Sequence, residues 1–321
     1  MSGATFDILA DITNLVPIPF KMFCMYVVYR HSPANMESLP LFILNVMMWE
    51  LLASIFAAME HSLPYVPYHC YHIDGLINMF TNNEIVYHII IAFGLAARKS
   101  SSLCQVFIFA YRYLTIAFPE RTSKINRKWV FAFCACLHVV YISAFFAAYA
   151  NVIGFYDEYP FGGKPPKKKE IMCSNSNVWL RDTWNIFFTA FTFTSAGVIV
   201  GFSLLLVHHF HKMVHLYNEQ TLKMHRKFLR YLIIITAIPV TCGLLPHSIS
   251  ALNDVFLPHY ALEIVMGTYI MIYIDSTLFF VVCIFAFAPY RQAVARMRCA
   301  AFAKSNVISV SSTSRSLCVN R

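Results

Sequence analysis

Apolar residues in this chain fall in long blocks, with polar residues, Pro and Gly gathered between them. About 18 to 20 consecutive apolar residues cross a bilayer as a helix. Seven blocks meet that length, at about 12–29, 40–59, 87–116, 129–152, 184–208, 229–249 and 261–287. Turn-formers separate them: His31-Ser32-Pro33, the stretches 64–72, 119–127 and 162–169, and Leu257-Pro258-His259. The pattern predicts an all-α polytopic membrane protein, a seven-transmembrane helix bundle. Unbroken apolar runs favour helices over the alternating pattern of a barrel. The third block ends in Phe-Ala-Tyr-Arg-Tyr at 109–113, followed by Arg121, Lys124, Arg127 and Lys128. Arg112 at a helix end either snorkels to lipid headgroups or presents a cation to a partner.

Composition narrows this. The 321 residues are 58% hydrophobic and 13% charged, with 29 Phe and 18 Tyr, too apolar for a soluble fold. The net charge of +9 is spread in a way that sets orientation. With the N-terminus outside, 16 of the 25 Lys and Arg are cytoplasmic: Arg30, the four after block 3, five in and around 210–230, and six in the tail. Five lie outside, all in the loop 153–183, and long loops weigh little in this rule. The expectation is N-terminus outside and C-terminus cytoplasmic, with a basic inner face suited to anionic lipid or an acidic partner, and not nucleic acid. No cleaved signal peptide is expected, the first helix acting as insertion signal. Of ten cysteines, Cys70 and Cys173 alone fall on the outer side. A disulfide between them would tie the loop after block 4 over the third helix; two free thiols are the alternative.

Several short motifs, in order, resemble one family. They are 19–26 (Pro-Phe-Lys-Met-Phe-Cys-Met-Tyr), 32–36 (Ser-Pro-Ala-Asn-Met), Leu44-Asn45 leading to Trp49-Glu50, and Tyr111-Arg112-Tyr113. Gln220-Thr221 leading through Phe228 to Ile238-Pro239, and Pro289-Tyr290-Arg291, complete the set. Together they resemble the nematode serpentine chemoreceptors of class H and their relatives in the Str superfamily, along the whole chain. The resemblance implies a G-protein-coupled receptor of rhodopsin-like architecture, on the plasma membrane of sensory cilia. It would bind a small external molecule of the odorant or pheromone class and activate a heterotrimeric G protein. The coupling face would hold Tyr111, Arg112, Lys223, Arg226, Lys227, Tyr290 and Arg291. Pro239 and Pro246 would kink helix 6 and give its inner end a lever arm. The receptor domain would cover 1–291. The tail, 292–321, would start as a short interfacial helix with Cys299 as a palmitoyl site, and its Ser-rich end at 309–316 would serve a receptor kinase and an arrestin-like partner.

Three ionisable residues sit well inside blocks: Lys21, Glu50 and Asp275, roughly 12 to 18 Å deep at about 1.5 Å per residue. An unpaired charge there costs at least about 2.5 to 3.5 kcal/mol, so a mutually satisfied cluster is expected, with Lys21 between the two carboxylates. Facing a water-filled cavity is the alternative. Arg98 and Lys99, near the outer end of helix 3, would form a cationic pocket wall favouring acidic ligands. Contacts to Asp74, Glu84 or Glu263, or snorkelling, compete with that reading. Aromatic pocket walls would come from Phe187, Phe188, Phe191 and Phe193 with Tyr269 and Tyr273, although a Phe stripe at helical spacing also builds core. An ion channel or transporter with Lys21, Glu50 and Asp275 in its pathway is the rival class, weakened by the absence of internal repeats. His208, His209, His211 and His215 resemble part of a histidine box, but His69 and His72 fall on the opposite side of the membrane. No catalytic motif, cofactor or metal site is expected.

Overall fold

The computed structural model describes residues 3–33, 39–65, 69–124, 126–161, 171–213, 230–231, 233–234, 237–246, 249 and 261–306. In chain order the helices are α1 (Gly3–Asn14), α2 (Ile18–His31), α3 (Leu39–Glu60), α4 (Glu84–Ala117), α5 (Pro119–Ser123), α6 (Arg127–Ala150) and α7 (Val178–Met213). A π-helical segment, Pro239–Leu244, follows, then α8 (Ala261–Ala286) and α9 (Ala288–Asn306). Three strands, β1 (Ser62–Tyr65), β2 (Cys70–Ile73) and β3 (Ile171–Cys173), form one antiparallel sheet in that order.

Among the described residues five helical stretches are long and apolar enough to cross a membrane: Ile8–His31, Leu39–Glu60, Lys128–Ala150, Val178–Lys212 and Leu262–Ala286. They answer to blocks 1, 2, 4, 5 and 7. Block 6 lies largely outside the described residues. Block 3 became α4, a helix of 34 residues whose hydropathy is lowered by Arg98, Lys99 and the run Ser100-Ser101-Ser102. That polarity is tolerable because Lys99, Ser100 and Ser101 are buried against protein, while Ile85, Ile89, Phe93 and Leu114 are the exposed side chains of the helix. Small residues (Gly94, Ala96, Ala97, Ser100, Ser101) let α3, α6 and α7 approach closely. A Cβ at Gly94 would stand 3.2 Å from the Cβ of Phe56 on α3. In contrast α6 and α7 expose Trp129, Phe133, Val139, Trp179, Ile186 and Leu204, the dress of helices that meet lipid.

The first block departs from expectation. The pattern predicts one helix at about 12–29, whereas the chain turns at 15–17 and divides into α1 and α2. Pro17 lacks the N–H that would continue α1, and Pro19 sits in the first turn of α2, where a missing N–H costs nothing. Released from the α2 axis, α1 buries Phe6 and Ala10 completely against Ala57 of α3 and Met266 and Tyr273 of α8.

The sheet lies at the same end of the bundle. The stretch 64–72 was expected to be only a turn, yet β1 pairs with β2 and places Pro64 on an edge strand, where a missing donor is harmless. Cys70 stands opposite Cys173 in the β2–β3 register, and the two form a disulfide. The loop after α6 is thereby stitched to the loop before α4. Glu84, at the first turn of α4, accepts backbone N–H bonds from Tyr156 (2.9 Å) and Cys173 (3.1 Å), fixing that loop to the helix.

At the opposite end, called here the far end, the largest apolar cluster joins α2, α3, α4, α7, α8 and α9 through Val27, Phe42, Phe109, Phe210, Phe280 and Tyr290. Between the two ends α3 is held to α4 and α6 by polar contacts as well. Asn45 Nδ2 donates to Cys104 Sγ (3.0 Å), Cys104 Sγ meets His138 Nε2 (3.2 Å), and Trp49 stacks on the His138 ring.

Two backbone features close α3. His61 adopts φ 28°, the left-handed cap geometry, with its N–H on Ala57 O (3.3 Å) and its carbonyl accepting from Asp74 N (3.2 Å). Gly75 crosses the last turn of α3 so closely that a Cβ would lie 2.1 Å from Met59 O. Gly75→Ala is therefore expected to lower stability by about 1–3 kcal/mol, measured as the thermal unfolding midpoint of purified protein.

His61 also carries a pH dependence. Burial pushes its imidazole below the usual value, and the opposing carboxylates, Asp11 of α1 (3.6 Å from Nε2) and Asp74, do not outweigh it. As pH falls below about 6.5 the unfolded chain takes up a proton that the folded protein refuses. Stability present above that pH is then lost. Thermal unfolding between neutral and mildly acidic pH is expected to fall more steeply for wild type than for His61→Asn, which tolerates the left-handed cap and does not titrate.

Candidate functional site

The polar side chains inside the bundle form two layers. The first is central. Lys21 of α2 is completely buried, and its ammonium donates to Ser54 Oγ of α3 and Ser276 Oγ of α8 (2.9 Å). Ser54 Oγ donates to Glu50 O (3.0 Å), four residues back on its own helix, and Ser276 Oγ reaches the same carbonyl (3.4 Å). The Glu50 carboxylate turns toward α4 and accepts from Ser101 Oγ. Asp275 turns toward the π-helical segment, its Oδ2 3.2 Å from where a Cβ of Gly243 would stand.

The expected trio therefore meets in one region but not by direct pairing. Hydroxyls stand between Lys21 and the carboxylates, because Ser54 and Ser276 present the groups nearest the ammonium. Both carboxylates still act on Lys21 electrostatically. Four helices, α2, α3, α4 and α8, are bound through this layer.

The second layer is at the sheet end. Arg98 lies over the Tyr273 ring (5.1 Å), beneath the Phe6 and Ala10 of α1. Lys99 points the other way: it is 6% exposed, donates to Thr192 Oγ1 of α7, and sits 3.6 Å from the centroid of Phe188. The anticipated contacts of these cations to Asp74, Glu84 or Glu263 do not form. Glu84 is engaged with the loop, Asp74 faces His61, and Glu263 is exposed. Instead Arg98 has Glu60 as an electrostatic neighbour, a residue that sequence reasoning passed over because it stood just beyond the expected end of span 2. Glu60 Oε2 is buried, and among the described residues it has no hydrogen-bond partner.

Of the expected aromatic walls, Phe188 and Tyr273 line this layer. Phe191 stacks on Tyr141 of α6 (4.7 Å), and Phe187 and Phe193 are exposed. Tyr269 packs beside Tyr273 in the α1 cluster. The Phe stripe thus mostly builds the α6–α7 contact and the outer surface.

At the far end Tyr111 lies against Phe42 (5.1 Å between ring centroids), and Arg112 is half-buried near the end of α4. Tyr290, expected on the coupling face, is completely buried and shares a hydrogen bond with Ser32 (2.9 Å), joining the first turn of α9 to the end of α2. Arg291 is exposed and donates to Phe285 O (2.9 Å). Lys223, Arg226, Lys227 and His215 lie outside the described residues. Pro239 opens the π-helical segment, and Pro246 is buried just past it. Widening to π geometry relieves the clash of the Pro246 ring with the carbonyl four residues earlier, where a simple kink was anticipated. Cys299 is half-buried on α9, which begins at Ala288, ahead of the expected tail boundary. No group of three or more His, Cys, Asp or Glu able to hold a metal occurs among the described residues.

A bundle of membrane-length helices around a polar central helix, closed at one end by a disulfide-linked sheet, defines a multi-pass membrane protein. Residues 2–300 match the family described as serpentine type 7TM GPCR chemoreceptor Srh, and the chain belongs to that family. No curated protein matches it.

The central layer carries a testable consequence. Ser276→Ala leaves a buried ammonium N–H without its acceptor and is expected to cost about 1–3 kcal/mol. In a Lys21→Met background the same change is expected to cost under about 0.5 kcal/mol, since the two residues act as a unit. Thermal unfolding of the four proteins checks it.

Proposed function

We propose that this chemoreceptor has seven spans with its N-terminus outside and its C-terminus in the cytoplasm, and works at the plasma membrane of sensory cilia. A small external molecule binds at the sheet end, and a heterotrimeric G protein is activated at the far end. The observation that supports this most is α4. It carries both cations of the sheet-end layer, Ser101 of the central layer, and Arg112 at the far end, so one helix is in contact with all three regions. The distribution of Lys and Arg supports the orientation.

The mechanism follows from the contacts. A ligand that packs better against one arrangement of α1, α4, α7 and α8 shifts the population toward it, and only its differential affinity does so. Movement of α8 relative to α4 disturbs the shared hydroxyls around Lys21. It also disturbs the approach of Asp275 to Gly243, in the sixth span at about 229–249. That span then swings its basic end, with Lys223, Arg226 and Lys227, and opens a cleft beside Tyr111 and Arg112 for the G protein. Tyr290 holds the α2–α9 junction and acts on this face by position, with Arg291 beside it. The tail serves a receptor kinase and an arrestin-like partner, with Cys299 as its lipid anchor.

Arg112→Ala is expected to weaken G-protein activation about tenfold or more at equal surface expression, read as nucleotide exchange in membranes from expressing cells. Unchanged exchange would remove Arg112 from the coupling face.

A further inference from the structure

Of the three cations in the central and sheet-end layers, two have carboxylate company among the described residues. Lys21 feels Glu50 and Asp275, and Arg98 feels Glu60 and Asp275. Lys99 is buried as deeply, yet among the described residues its one charged neighbour is another cation, Arg98. Its ammonium has a hydroxyl, Thr192, and the face of Phe188. Those partners spread a positive charge without neutralising it, and an uncompensated buried charge is costly. Around it the side chains are aromatic and apolar: Phe145, Tyr149 and Trp184 pack with Phe188 and the small face of α4 at Ala92 and Ala96.

We propose that Lys99 is the anchor for an acidic ligand: a carboxylate pairs with its ammonium while an apolar tail lies along the aromatic wall between α4, α6 and α7. This rests on the receptor reading above and adds to it the chemical class of the ligand. A charged hydrogen bond in an apolar, water-poor site supplies both affinity and orientation. Thr192 takes part as the second contact, its hydroxyl holding the ammonium toward the α7 side.

Thermal unfolding of the purified full chain in lipid nanodiscs tests the proposal without any G protein. The probes are butyrate, hexanoate, phenylacetate and oleate, each against the alcohol of the same skeleton. The expected result has two parts. At least one carboxylate raises the unfolding temperature of wild type more than its alcohol does, and the difference disappears in Lys99→Met and shrinks in Thr192→Val. Ligand-free Lys99→Met is more stable than wild type, because a buried charge has been removed. A shift by the short acids marks an external ligand, and a shift by oleate alone marks one drawn from the bilayer; both support the carboxylate site. Equal shifts by acid and alcohol, shifts that survive in Lys99→Met, no shift by any acid, or a less stable ligand-free Lys99→Met would overturn it. If Lys99→Met does not fold, that loss is itself the contrary result, and Lys99→Gln repeats the ligand arm. Failure of the receptor reading would appear separately, as acid-dependent stabilisation with no G-protein activation.

Discussion

Charge inside a low-dielectric bundle is the constraint on which the rest of this structure depends. A lone ammonium or carboxylate at membrane depth costs several kcal/mol, so the helices must bring partners to each one. Lys21 shows how this is done: two serines on different helices take its protons, and a carbonyl of α3 takes theirs. Because those serines belong to α3 and α8, satisfying one charge fixes three helices. Ser101 brings in α4 through Glu50, and Asp275 lies close beside Gly243 of the π-helical segment. The packing of the middle of the bundle is therefore polar in origin. Apolar burial dominates the far end, where Phe42, Phe280 and Tyr290 lie in the large cluster.

That division explains the position of α4. A helix with Arg98, Lys99 and three consecutive serines would be a poor neighbour for lipid on that face, and there Lys99, Ser100 and Ser101 are buried in protein, while Ile89 and Phe93 on another face stay exposed. The helices around it, α6 and α7 above all, carry their large apolar side chains outward. The length of α4 carries it from the sheet-end layer through the central layer to the far end. The sheet end has its own clamp. The disulfide joins two loops, Glu84 ties them to α4, and α1 covers Tyr273.

Much of this was legible in the chain. Blocks 2, 4, 5 and 7 became membrane-length helices because apolar length alone decides that outcome, and Cys70 and Cys173 were singled out by the topology those helices imply. Other features had no local signal. The strands are short, and one of them reaches its partner across about a hundred residues of chain, so β-pairing at 62–65 and 70–73 could not be seen from 64–72. The separation of α1 from α2 was hidden because residues on both sides of Pro17 are apolar and merge into one block. The hydroxyl partners of Lys21 were missed since serine in an apolar helix carries no positional cue of its own. Glu60 was lost to a boundary error of one residue. Tyr290 was read from a motif as a coupling residue, and its burial against Ser32 shows that a motif gives position without orientation.

The receptor mechanism proposed above requires two arrangements of the charge-linked bundle, distinguished by how the sixth span stands beside the end of α4. The most direct measurement is the distance between spin labels placed at Leu114, exposed on α4, and Arg230, exposed at the start of the helix 6 stretch, with the exposed Cys136 replaced by serine. Pulsed electron resonance in nanodiscs, with and without a nucleotide-free heterotrimeric G protein, reads the populations. The account expects a second, longer distance to gain population when the G protein is bound. A single distribution unchanged by a G protein that binds would contradict it.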